Sequence, residues 1–91
     1  MDAKEAARLA KKYLTELFAD EEVFNLGLEE ISFDDRNGAW NITLGFSREW
    51  NVPRNILSPL GGPSPSRDYR IVTIRDSDQK VLAVKIRDLA A

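Results

Sequence analysis

The chain contains no cysteine and no histidine. Without thiols it forms neither disulfides nor thiolate metal sites, and a reduced, cytoplasmic setting fits that usage. Without imidazole it lacks the usual general base at neutral pH, so catalysis would fall to carboxylates, Lys, Ser or Tyr. Long apolar runs are missing as well. Nothing approaches the roughly 18 apolar residues of a membrane helix. The N-terminal stretch does not read as a signal peptide, because Lys4, Glu5, Arg8, Lys11 and Lys12 interrupt its apolar positions. Proline is absent from most of the chain. All four prolines lie within 48–66, with two of the five glycines.

What is present fits a single α+β domain spanning 1–91. Of its 91 residues, 43% are apolar and 31% charged, ordinary values for a globular protein. The net charge of −2 is unevenly spread. Residues 20–35 hold Asp20, Glu21, Glu22, Glu29, Glu30, Asp34 and Asp35 and no base, whereas 67–88 hold six bases against four acids. Such a split suits edges that pair within the fold or between chains. It argues against a strong nucleic-acid binder, which needs a net basic surface.

Residues 2–19 read as one amphipathic helix. Asp2 suits the N-cap, and Glu5 three positions on completes a capping-box pattern. Ala6, Leu9, Ala10, Tyr13, Leu14, Leu17 and Phe18 recur at helical spacing, with Lys4, Arg8, Lys11, Lys12 and Thr15 opposite as a solvated basic stripe. Three acids at Asp20–Glu22 oppose the helix dipole, so the helix is expected to end near Asp20.

Leu28 to Phe46 reads as a β-hairpin about Asn37-Gly38. A two-residue turn would pair Phe33 with Ile42, and a four-residue turn would pair Phe33 with Trp40. Both keep one apolar face, so the parity is fixed while the turn length stays open. Leu26 and Leu28 are out of phase with Ile31 and Phe33, which predicts a bulge near Glu29-Glu30. A second strand pair runs over 67–75 and 80–87 around Asp76–Gln79. A two-residue turn there sets Tyr69, Ile71 and Thr73 beside Ile86, Val84 and Leu82, and a three-residue turn groups Val72, Ile74, Leu82, Val84 and Ile86. The expected architecture is one N-terminal helix packed on a curled four-stranded antiparallel sheet, α-β-β-β-β, with a long loop between strands 2 and 3.

A helix followed by Leu28-Glu29-Glu30-Ile31, Trp40 to Phe46, Tyr69-Arg70-Ile71-Val72 and Val81 to Arg87 resembles a group of short bacterial proteins of uncharacterised function. The layout is similar to cystatin-like and PepSY-like domains, where a helix sits in a wrapped antiparallel sheet. Cystatin-type inhibitors carry a Gln-x-Val-x-Gly hairpin loop, in place of which stands Asp35-Arg36-Asn37-Gly38, so the resemblance implies a fold and not protease inhibition. PepSY-like domains are usually exported or membrane-linked, and neither feature is read here.

No motif assigns a chemistry. Neighbouring acids in Glu29-Glu30 point to opposite faces of a strand and cannot converge without a bulge. Asp76-Ser77-Asp78 begins like a calcium loop, but Val81 stands where glycine is needed and Arg87 where the bidentate glutamate belongs, so it reads as a turn. Gly61-Gly62 lacks the Lys-Ser/Thr of a phosphate loop. No cofactor and no metal are expected.

One constellation suggests recognition. Trp50, Val52, Ile56, Leu57 and Leu60 are apolar anchors on a proline-stiffened segment, suited to a protein partner or to capping the sheet. The leading expectation is a non-enzymatic interaction module that binds a protein through 48–66 and an exposed strand edge. A homodimer by edge or face pairing is a second possibility for the same surfaces. From a different class comes a ligand-binding or enzymatic pocket between helix and sheet, lined by Tyr13, Trp40 and Tyr69 with Glu29 or Glu30 as its polar group.

Overall fold

Asp2 starts the chain's helix. Its side chain accepts a 2.8 Å hydrogen bond from the Glu5 amide, satisfying a donor that the first turn leaves open. Helix α1 runs over Ala3–Leu17. It ends three residues before the expected Asp20, because Phe18 turns its ring onto Phe46, with centroids 5.6 Å apart. Beyond it the backbone tightens: the Ala19 amide donates to Glu16 O at 3.3 Å and the Glu21 amide to Phe18 O at 2.9 Å.

The computed structural model describes residues 1–21, 23–48 and 68–87. Strands β1 (Val23–Asp34), β2 (Ala39–Arg48), β3 (Asp68–Arg75) and β4 (Val81–Ile86) form one antiparallel sheet in chain order. The sheet does not close, so β1 and β4 are its edges.

In the first hairpin Phe33 pairs with Trp40 and Ile31 with Ile42, which selects the four-residue turn, Asp35 to Gly38. The tighter turn would need positive φ at both Asn37 and Gly38, and only Gly38 has it (φ 60°). Asp34 closes the turn instead. Its carboxylate accepts the amides of Arg36 (3.0 Å) and Asn37 (3.3 Å) and the Asn37 side-chain amide (2.7 Å).

Glu29 is the extra residue of the expected bulge, between the pairs Leu28–Leu44 and Glu30–Thr43. A second irregularity lies between Phe24 and Gly27, where Asn25 takes φ 58°. The second hairpin resolves its two alternatives by using both parities. Four residues, Asp76 to Gln79, make the turn, with the Arg75 amide donating to Lys80 O at 2.8 Å. Near the turn Ile74 pairs with Val81. Past a bulge at Leu82 the register becomes Thr73–Ala83 and Val72–Val84.

The core lies between α1 and one sheet face. Ala6, Ala10 and Leu14 pack on Ile42, Leu44, Phe46, Val72 and Ile74, all buried. The alanines let the helix backbone approach closely, so the larger sheet side chains fill the interface. On the opposite face Thr43 is 2% exposed, and its Oγ1 accepts a 2.9 Å hydrogen bond from Arg87.

Candidate functional site

Each sheet edge carries apolar side chains that the described residues cover only in part. On β4, Ile86 is 76% and Leu82 44% exposed; on β1, Phe24, Leu28 and Phe33 stand more than two-fifths exposed. On α1, Tyr13, which lines a groove toward Val81 of β4, and Leu17 are exposed as well. The edges differ in backbone and in charge. β1 is bent by two irregularities and bears Glu29, Glu30 and Asp34, whereas β4 is irregular only at Leu82 and is bordered by Lys80, Lys85 and Arg87.

Most bases near β4 already have a partner. Arg75 pairs with Asp78 at 3.0 Å. Arg87 reaches across the sheet to Glu30 and Thr43. The Arg70 guanidinium donates to Tyr69 O at 3.0 Å and lies over the rings of Phe18 (5.9 Å) and Phe46 (5.5 Å). Lys80 and Lys85 enter no ion pair among the described residues.

Among the described residues, three shallow grooves border α1. The largest of these, about 490 Å³, lies against β1 between Ala3, Lys4, Ala7, Arg8 and Lys11 on one wall and Leu28 and Ile31 on the other. One of about 220 Å³ separates Tyr13 and Lys12 from Gln79 and Val81. One of about 230 Å³ lies at the end of the helix, beside Phe18, Val23 and Leu26.

The pocket expected from Tyr13, Trp40, Tyr69, Glu29 and Glu30 is not assembled. Tyr13 lines only the groove toward Val81. Trp40 stacks on Phe33 with centroids 4.9 Å apart and donates from Nε1 to Asp76 at 3.0 Å, at the turn end of the sheet. Tyr69 alternates with the core residue Val72 and so faces away from the helix, opposite Gly45. Glu30 shares that far face, held by Arg87, and Glu29 is the exposed bulge residue. The other set, Trp50, Val52, Ile56, Leu57 and Leu60 in 48–66, lies outside the described residues. The turn reading of Asp76–Asp78 holds, with Asp78 accepting from the Lys80 amide at 3.2 Å and from Arg75.

Two features escaped the sequence. The Arg87–Glu30–Thr43 cluster joins residues far apart in the chain, and nothing local marks it. Lys4, Arg8 and Lys11 are exposed, as their place opposite the core predicted, but nothing in the pattern showed that they border a groove against β1. Ala3 and Ala7 beside them were the available signal, since small residues let a helix wall stand back.

These elements define an α+β domain with one helix on an open four-stranded antiparallel sheet. Comparison with family models, with curated proteins and with solved structures finds no match to this chain. Among the described residues, no helix is long and apolar enough to cross a membrane, and no three potential ligand side chains come together as a metal site.

Proposed function

We propose that this chain is a small non-enzymatic protein-interaction module whose partner adds an extended segment to the outer edge of β4. The observation that carries the reading is Ile86, 76% exposed on an edge strand whose outer side pairs with no other strand among the described residues. Edge strands are normally guarded by bulges, proline or covering elements. β1 has two bulges, whereas Ala83 to Ile86 keeps a regular register against β3. Main-chain bonding along such an edge gives affinity, and alternating apolar anchors give choice of partner. Pairing β4 with β4 of a second copy would crowd Lys80 and Lys85 of both chains, which favours a different, more acidic protein over a symmetric dimer. The segment 48–66, with Trp50, Val52, Ile56, Leu57 and Leu60, follows β2 and precedes β3 in the chain, and in this proposal it supplies the second half of the contact.

A photo-reactive residue at position 86, compared with one at the exposed turn residue Arg36, tests this in cells. A protein adduct formed from position 86 alone, and lost on Leu82→Lys, supports edge binding. Equal adducts at both positions, or none at 86, count against it. Deleting 50–62 addresses the loop. An unchanged adduct from a folded deletion variant removes the loop from the proposal.

A further inference from the structure

Four strands at about 4.8 Å spacing span about 14 Å between the outer pair, whereas one helix is about 10 Å across. A single helix therefore leaves part of the sheet uncovered. On the β1 side the strip that no described residue covers is the 490 Å³ groove, with Leu28 43% exposed on its wall. We infer that this groove docks an acidic amphipathic helix of a partner protein, laid beside α1 as a second helix on the same sheet face. This surface is separate from β4, and the inference stands independently of the edge proposal.

Three observations select that occupant. Both walls of the groove carry apolar residues, Ala3 and Ala7 on one and Leu28 and Ile31 on the other, and they need an apolar stripe. Lys4, Arg8 and Lys11 follow one another at i, i+4 and i+7 along its rim, and none of them forms an ion pair among the described residues. Three cations on one wall call for an acidic flank facing α1. Finally, the bulges at Asn25–Leu26 and Glu29 interrupt the β1 edge, so an added strand would lose its hydrogen-bond repeat. A helix satisfies its own backbone and needs no such repeat. The acidic flank must lie toward α1, because Glu29 stands on the β1 side.

The probe is a synthetic helical peptide of about 14 residues, long enough to span about 20 Å, with a leucine stripe and a glutamate flank. Its counterpart carries lysine in place of glutamate. Binding is followed by amide chemical shifts and fluorescence anisotropy on the full chain. The glutamate peptide is expected to shift Ala3, Ala7, Leu28 and Ile31. Its affinity should fall at least about tenfold when Lys4→Glu, Arg8→Glu and Lys11→Glu are combined, and the lysine peptide should not bind. These rim positions are exposed, and circular dichroism verifies that the variant folds. Leu28→Gln provides an independent variant and should weaken binding with the charges intact. The inference is overturned by equal binding of both peptides, by shifts located elsewhere, or by an unchanged affinity in the reversed variant. It is equally overturned if dodecanoate shifts these amides while the peptide is inert, or if a second copy fills the groove in a stable dimer.

Discussion

Asp34 closes the first turn from just outside it. Its carboxyl is held below the ordinary aspartate range, chiefly by the Asn37 side-chain amide and then by the Asn37 backbone amide. A carboxylate whose folded pKa is lowered contributes stability above its unfolded value. That contribution disappears as pH falls through the lower, folded value. The stability difference between the native chain and Asp34→Asn, read from urea midpoints, should therefore be present at pH 7 and shrink on acidification through the carboxylate range. A pH-independent difference would show that the side chain acts by shape alone. The sequence pointed to Asn37-Gly38 as the turn's organiser, and Gly38 does take the positive φ. It could not reveal which carboxylate reaches back, since Asp34 and Asp35 are equivalent in pattern and differ only once the register is set.

Elements were legible where the signal is local. Asp2 marked the start of α1 because an N-cap acts within three residues. The other end was misplaced by three residues because it depends on Phe18 meeting Phe46, a contact made across the fold. The Glu29 bulge showed in a broken apolar parity, whereas the Leu82 bulge was concealed by a strand with apolar residues on both faces. The second turn offers a test at this scale. Gln79 sits at φ 60°, a left-handed conformation that costs a side-chain-bearing residue energy and glycine little. Gln79→Gly should leave the hairpin register intact and raise unfolding stability by up to about 1 kcal/mol, the relief of strain exceeding the added freedom of the unfolded chain. A fall in the urea midpoint would mean that the exposed Gln79 side chain contributes more than its backbone strain removes.

Across the whole molecule, one face of the sheet was readable and the other was not. Alternation predicted one apolar face across the first hairpin, and Ile42, Leu44 and Phe46 of β2 lie in the core on that face, because a single buried face imposes a period of two. The same alternation separates Tyr69 and Glu30 from Trp40, so the expected pocket divides between two faces. The far face is tied together by Arg87. From just beyond β4 it reaches past β3 to Thr43 on β2 and Glu30 on β1, while its amide donates to Tyr69 O at 3.1 Å. In a sheet that never closes, this side chain links both edges. Removing it should therefore act at a distance. Arg87→Leu leaves the buried Thr43 hydroxyl without its donor, at a cost of about 1–3 kcal/mol. Hydrogen exchange should speed up in β1, three strands away, as well as in β4. Glu30→Gln should keep part of the effect, since an amide oxygen can still accept from the guanidinium. If exchange quickens only around Ile86, Arg87 stabilises its own strand and the two edges are coupled through the backbone ladder alone.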